Sequence, residues 1–351
     1  MKDTKYRIVE GPYLRDILDQ PQALRDTLAG FRARVELGSE IFRMREMPHR
    51  RLILTGMGSS LHALYPTELK LTACGENVTR AEAAELIYSM PRLLERESII
   101  VAVSQSGQSA EIVQMLNRNA GRARIIGVTN TEMSPLAEMS DCLMLTRCGD
   151  EFSVSTKTYV GTLAALDLLA AAWSGEALEP RLSALECACE SHICNYLQAW
   201  RTHVSLLAKE MAGITRVFYV GRGASLATCG TAALTTKEST RFSSEAMSSA
   251  AFRHGPMEVI APDTMVFVFE GDAEMRALNQ KLVRDIRSRG GRAELIGPGA
   301  ELAALRIPDE LGDVMPLLEI LPVQMLTLAL AALAGREAGR FAFASKVTVE
   351  E

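Results

Sequence analysis

No block of this chain is basic, and nothing in it offers a nucleic acid a foothold. The 38 Lys and Arg are outnumbered by 43 Asp and Glu, and the formal net charge is −5, the wrong sign for a polyphosphate partner. The opening Met1-Lys2-Asp3-Thr4-Lys5-Tyr6 has no apolar signal core. No stretch reaches eighteen uninterrupted apolar residues, so no membrane span is expected and the cytoplasm is the expected location. Cysteine is sparse as well: seven residues, an odd number, read as reduced thiols and not as a disulfide framework. One group, Cys187, Cys189, His192 and Cys194, has a metal-like composition. At about 100° per residue, a regular helix puts Cys187 and Cys194 on one face and turns Cys189 and His192 away. Four ligands then cannot converge on zinc, and neither a metal nor another cofactor is expected.

What is present is an ordinary globular composition, 48% hydrophobic and 23% charged over 351 residues, long enough for two domains with a core each. The most informative stretch is Ser104-Gln105-Ser106-Gly107-Gln108-Ser109, directly after the apolar run Ile99–Val103. A buried strand that ends in small hydroxyl residues and then enters a helix presents backbone N–H groups to an anion. With the serine hydroxyls added, on the order of six hydrogen bonds can converge on one phosphate. The loop has no lysine, so it is not the nucleotide P-loop pattern. A serine-rich turn that holds nothing fits the local pattern equally well.

Strands alternate with helical stretches along the whole chain, the pattern of parallel sheets covered on both faces. The first half reads as strand Arg51–Thr55, the loop Gly56-Met57-Gly58-Ser59-Ser60, and a helix through Ala63 and Leu69. Strand Ile99–Val103, a helix around Ile112–Arg118, strands Ala123–Val128 and Cys142–Leu145, and helix Val160–Trp173 follow. The order then repeats. Strand Val217–Val220 runs into Gly221-Arg222-Gly223-Ala224-Ser225, strand Met265–Phe269 follows, and Gly291-Arg292-Ala293 with Ile296-Gly297 echoes Gly121-Arg122-Ala123 with Ile126-Gly127. Asp313–Leu317 precedes the apolar helix Leu321–Leu333 as Asp141–Leu145 precedes its own. Two tandem doubly wound α/β domains are expected, residues 1–185 and 186–351. The stretch Ser174–Glu190 has no Gly/Ser/Pro-rich tract, so the halves are expected to pack together. In place of the Ser loop the second half carries Glu270-Gly271-Asp272-Ala273-Glu274, whose carboxylates repel phosphate. One anion site per chain is expected.

These motifs resemble the sugar isomerase (SIS) family, and within it the isomerase portion of glucosamine-6-phosphate synthase. The resemblance is carried by Glu10-Gly11-Pro12-Tyr13 with Gln20-Pro21, the Ser loop, Ser155-Thr156-Lys157, Lys237-Glu238, Ser248-Ser249-Ala250 with Arg253-His254-Gly255-Pro256, and Lys346-Val347-Thr348-Val349-Glu350. It implies two SIS domains and a 6-phosphorylated sugar as substrate. The family's phosphosugar pocket maps onto Gly58, Ser59, Ser60, Ser104, Gln105, Ser106, Ser109 and Ser155. The resemblance makes Glu238 the proton-shuttling carboxylate and His254 the ring-opening imidazole, donated by a neighbouring subunit of a homodimer or higher oligomer. Lys346, in a substrate-covering tail, becomes the residue placed for a Schiff base.

The chemistry of these side chains agrees with those roles. A partly buried carboxylate can be tuned to move a proton between C1 and C2, and an imidazole both donates and accepts near neutrality. A terminal lysine is usually solvated, but Phe341, Phe343, Val347 and Val349 offer the tail apolar anchors. Glu245 reads equally as pocket-facing or structural, and His49, His62, His192 and His203 read as structural. Two positions depart from the synthase: Thr235 stands where it has a second catalytic lysine, and Gln108 replaces the usual acid of its Ser loop. Lys2 stands where its glutaminase half carries the nucleophilic cysteine, implying relatives made of the two SIS units alone. The expected function is therefore C–N cleavage of a 6-phosphorylated amino sugar or sugar–amine adduct, as deaminase or deglycase. An aldose–ketose phosphosugar isomerase and a non-catalytic phosphosugar sensor are the alternatives.

Overall fold

A strand covered on both faces has no solvent side to alternate towards, so an unbroken apolar run marks the centre of a sheet. The computed structural model describes residues 4–309, 312, 315–343 and 345–348. In it Ser98–Val103 and Thr264–Phe269 are two such strands, buried at every position.

In chain order, helices α1 (Pro12–Leu18), α2 (Gln20–Arg32) and α3 (Leu37–Glu46) come first. Next are β1 (Arg51–Gly56), α4 (Gly58–Ala63), α5 (Tyr65–Ala73), β2 (Val78–Glu82) and α6 (Ala83–Tyr88). They are followed by β3 (Ser98–Val103), α7 (Ala110–Asn119), β4 (Arg124–Thr129), α8 (Pro135–Glu138), β5 (Cys142–Leu145) and α9 (Lys157–Trp173). Helices α10 (Leu178–Ala188), α11 (Cys194–Gln198) and α12 (Trp200–Glu210) lead into β6 (Arg216–Gly221), α13 (Ser225–Thr240), β7 (Ser243–Ser248) and α14 (Ser249–Arg253). The last elements are β8 (Thr264–Phe269), α15 (Ala273–Ser288), β9 (Arg292–Ile296) and α16 (Pro316–Leu333).

All strand pairs are parallel, in the orders β2-β1-β3-β4-β5 and β7-β6-β8-β9. Each sheet starts at a central strand, steps to one edge, then crosses back to continue on the other side, which is the doubly wound plan expected from the repeat. The strands missing from the sequence reading are β2 and β7, both at edges. Val-Thr-Arg-Ala-Glu and Ser-Ser-Glu-Ala-Met-Ser are largely polar and mostly part-exposed, and an edge position does not require a continuous apolar run. The helix expected through Ala63 and Leu69 is two helices, with Pro66 in the first turn of α5, where its missing N–H costs nothing. Asp313–Leu317 does not read as a strand among the described residues. Pro316 and Leu317 open α16, and Asp313 and Val314 lie outside the described residues.

The chain divides into two compact units. One comprises Gln20–Glu151, Thr156–Cys187 and Phe343–Glu351; the other comprises Met1–Asp19, Phe152–Ser155 and Ala188–Ala342. In the first, Ile100 and Ala102 of β3 pack with Leu86, Ile87, Ile112, Met115 and Leu116 of α6 and α7. The opposite face is covered by α9, buried along its whole length and packed on α2, α3, α4 and α5. Each fully buried aliphatic side chain contributes about 1.5–3 kcal/mol, so Ile100→Ala is expected to cost about 2–5 kcal/mol. In the second unit Val266 and Val268 of β8 pack with Phe252, Leu282, Val283 and Ile286, while α13 packs on α16. Helix α16 is long and apolar enough to cross a membrane, but 94% of it is buried inside the protein. Its Glu319 takes hydrogen bonds from Ser225 and Thr228 on α13, the arrangement of a core helix.

Candidate functional site

In a doubly wound sheet the ligand crevice lies beyond the carboxyl ends of the two strands from which the chain departs in opposite directions. In the first unit these are β1 and β3. Gly56 pairs with Val103, so the loops carrying Gly58, Ser59, Ser60 and Ser104–Ser109 leave the sheet side by side. Both loops lie beyond the carboxyl ends of these two adjacent strands.

The Ser loop is built rigidly. Gln105 O accepts from Asn130 N at 3.0 Å and from Thr129 Oγ1 at 3.2 Å, and Ser104 N donates to Val128 O at 3.0 Å. Gly107 sits at φ +65°, and a Cβ there would fall 2.7 Å from Ser134 Cβ, so the turn takes glycine alone. Ser104 Oγ accepts from Gly107 N at 3.2 Å and lies 3.4 Å from Ser109 Oγ, and Ser106 Oγ accepts from Gln108 N at 3.3 Å. The bonds from Gly107 N and Gln108 N use lone pairs, and between Ser104 and Ser109 one hydroxyl donates to the other, so Ser106 and one of that pair keep a proton to donate. Ser104 and Ser106 are buried, Gln105 and Ser109 half-buried, and the loop feeds the N-terminus of α7. Hydroxyl donors ahead of a helix N-terminus, with no carboxylate or lysine in the loop, can hold an anion.

The C-terminal segment belongs to the same unit. Thr348 O accepts from Ala110 N, the first residue of α7, at 3.0 Å. Lys346 Nζ lies 3.0 Å from Oε2 of Glu151, whose side chain is 1% exposed. The apolar anchors expected for this tail are largely not what holds it. Phe343 is 99% exposed, Phe341 and Val347 are half-buried, and Val349 lies outside the described residues. The tail is tied by a charge and a backbone bond.

Glu151 was not singled out by sequence reasoning. Its partner is 195 positions away, and the only local signal is an acid ahead of Ser155-Thr156-Lys157. The segment before it is stitched to the Ser-loop side of the sheet. Asn130 Oδ1 accepts from Thr146 Oγ1 at 3.0 Å and Cys148 N at 2.6 Å, and Asn130 Nδ2 donates to Gly149 O at 2.9 Å. Burial pushes the Cys148 thiol up to about 11, so it stays protonated and is no nucleophile.

Glu238, His254 and Ser155 fall in the other unit. Glu238 is half-buried on α13, between exposed Lys237 and buried Ser239, and Thr235 one turn earlier is buried. His254 is exposed directly after α14, before Gly255 and Pro256. Its loop is fixed by Arg253, paired with Asp285 at 2.7 Å; Lys281 and Arg253 together hold the Asp285 carboxyl down to about 2. Glu245 is exposed on β7.

The cysteine cluster departs from the regular-helix expectation. Cys189–Ile193 forms a π-helical turn, in which residues five apart stack. Cys189 and Cys194 therefore approach each other, with Glu190, to within 4.8 Å between ligand atoms, while Cys187 is exposed. Of the remaining histidines, His49 lies 3.1 Å from Glu76 and His203 stacks on Tyr196 with ring centroids 4.2 Å apart. A cleft of about 680 Å³ lined by Phe31, Val35, Phe42 and Leu178 contains none of the site residues.

A pair of doubly wound sheets with a serine-rich loop at one switch point defines a class of α/β protein. Within that class the chain belongs to the SIS domain family, which matches residues 47–172 and 210–297. It is 28% identical, over 96% of its length, to a glutamine–fructose-6-phosphate aminotransferase (isomerizing) of Pyrococcus horikoshii, and spans 57% of that relative. Its fold is similar to that of a glucosamine-6-phosphate deaminase from Thermotoga maritima, with a TM-score of 0.78, 20% identity, and coverage of 96% and 99% of the two chains. It is also similar to a tagatose-6-phosphate ketose/aldose isomerase from Escherichia coli, with a TM-score of 0.76, 18% identity, and coverage of 96% and 97%.

Proposed function

We propose that this protein cleaves the C–N bond of a 6-phosphorylated amino sugar or sugar–amine adduct. The observation that carries this reading is the Ser loop at the β1/β3 switch point, whose donors suit a phosphate monoester. The relatives support the ligand class, since each is named for a hexose 6-phosphate or its amino derivative. Glu238 moves a proton between C1 and C2 of the open-chain sugar, leaving C=N at the carbon that bears nitrogen. Water adds to that carbon and the amine leaves, so phosphosugar–amine plus water gives hexose 6-phosphate plus amine. His254 handles the ring-oxygen proton. Its exposure in a single chain suits a residue contributed to a neighbouring copy's site in a homodimer. Buried Thr235, where the synthase carries a lysine, favours C–N cleavage over synthase-like isomerisation, because a base near the C1 hydroxyl is missing while the Glu238–His254 pair remains.

The test is a mass-spectrometric screen of glucosamine 6-phosphate, galactosamine 6-phosphate and 6-phosphorylated fructose– and glucose–amine adducts, run beside Glu238→Gln. Amine release by wild type, reduced about 10²–10⁴-fold in the variant, is the expected result. Interconversion of hexose 6-phosphates without amine release hands the site to an aldose–ketose isomerase. Binding without turnover makes it a sensor.

A further inference from the structure

We propose that Glu151 is a positioning residue that docks the segment Ser345–Thr348 as a strap between the start of α9 and the start of α7, the helix that the Ser loop enters, and so fixes the Lys346 ammonium there. The identity of the anion rests on the phosphosugar reading; the docking does not.

The carboxylate is already committed before the lysine reaches it. Oε1 accepts from Thr156 N at 2.9 Å, Thr156 Oγ1 at 3.0 Å and Thr158 N at 3.0 Å, and Oε2 accepts from Thr158 Oγ1 at 2.7 Å. Thr156 is the N-cap of α9. Glu151 thus accepts from the first N–H groups at the positive end of a long buried helix. Lys346 brings an opposite charge to this buried carboxylate at 3.0 Å, beyond its neutral donors.

The second tie gives the strap its direction. Two residues beyond Lys346, Thr348 O takes the first N–H of α7, the helix that the Ser loop enters. The segment therefore runs from the start of α9 to the start of α7. Chain ends fray unless tied, and Phe343, 99% exposed, adds no burial. The Glu151–Lys346 pair is accordingly the main fastening, and a loosened strap would misplace Lys346 with the Ser loop unchanged.

The experiment is hydrogen–deuterium exchange of the strap and of a β3 control peptide in the full-length protein, for wild type, Glu151→Gln, Lys346→Gln and the double variant. Exchange in the strap is expected to rise about ten-fold in each single variant, with β3 unchanged and the double variant no faster than either single. Lys346→Gln leaves the four bonds at the start of α9 in place, so it separates undocking from any general loosening caused by Glu151→Gln. Strap exchange equal to wild type in either single variant, or additive effects in the double, overturns the proposal. In turnover of glucosamine 6-phosphate, Glu151→Gln is expected to lower kcat about 10²-fold while KM moves less than about three-fold. A KM effect with kcat unchanged overturns the positioning role. If wild type turns over no phosphosugar, the functional reading fails and the exchange experiment still decides the docking.

Discussion

The two sheets place loops of opposite side-chain chemistry at equivalent switch points. After β1 and β3 stand Gly58-Ser59-Ser60 and the Ser loop, without a carboxylate between them. After β6 and β8 stand Gly221–Ser225 and Glu270-Gly271-Asp272, and there carboxylates of the chain engage several donors. Glu319 of α16 accepts from Ser225 Oγ at 2.6 Å and Thr228 Oγ1 at 2.7 Å in the first turn of α13. Glu270 accepts from Gly299 N and Gln280 Nε2, each at 2.6 Å. At the second point these hydrogen bonds go to the chain's own carboxylates, where the first point has serine hydroxyls and no carboxylate in its loop. Topology supplies a crevice, and the side chains decide whether it stays available.

The strongest way to break this contrast is to make the first loop resemble the second. Ser106→Asp would set a carboxylate against a bound phosphate. Two charges about 4 Å apart at an effective dielectric near 20 repel by about 4 kcal/mol, so calorimetry should register a loss of phosphosugar affinity of about 1,000-fold. Asp272→Ser in the second loop should leave affinity unchanged, because a serine keeps the cap that Asp272 gives Met275 N at 3.0 Å. A comparable loss from both variants would place anion binding at both switch points.

A somewhat smaller effect tests whether the second point is internally satisfied. Burial pushes the Glu319 carboxyl up to about 7 from 4.5, against the lowering effect of Ser225 and Thr228. Between pH 4.5 and 7 the folded protein then keeps a proton that the unfolded chain has released. Stability contributed by this group is complete below pH 4.5 and falls as pH rises through about 7. The shift corresponds to about 3 kcal/mol. Urea unfolding at pH 4.5 and 8 should show wild type losing about that much relative to Glu319→Gln. Parallel pH profiles would mean that Glu319 stays ionised throughout.

Much of this contrast is legible in the sequence because it depends on local residues. Ile99–Val103 followed by serines, and Met265–Phe269 followed by Glu270-Gly271-Asp272, announce two buried strands with opposite loop chemistry. The parts that were not legible depend on distance along the chain or on geometry that a regular pattern conceals. Glu151 and Lys346 are 195 residues apart, and Glu319 meets Ser225 across 94. Strands β2 and β7 lack apolar runs because edges need none. The π-helical turn at Cys189–Ile193 changes which side chains share a face, and composition alone does not reveal an extra residue in a turn.

The smallest effect separates the turns themselves. Gly107 and Gly271 occupy equivalent loops at φ +65° and +69°, where a Cβ costs about 1 kcal/mol in backbone energy alone. At Gly271 the nearest atom to that Cβ is Ser225 Oγ at 3.5 Å, an ordinary contact. At Gly107 the Cβ falls against Ser134, which cannot swing aside without giving up its hydrogen bond to Thr131 O at 2.8 Å and its cap on Ala137 N at 3.3 Å. Gly271→Ala should therefore lower stability by about 1 kcal/mol, and Gly107→Ala by about 2–4 kcal/mol. Equal losses in urea unfolding would mean that the Ser loop is not held against Ser134. Its hydroxyls would then lack the fixed placement that sets the first switch point apart from the second.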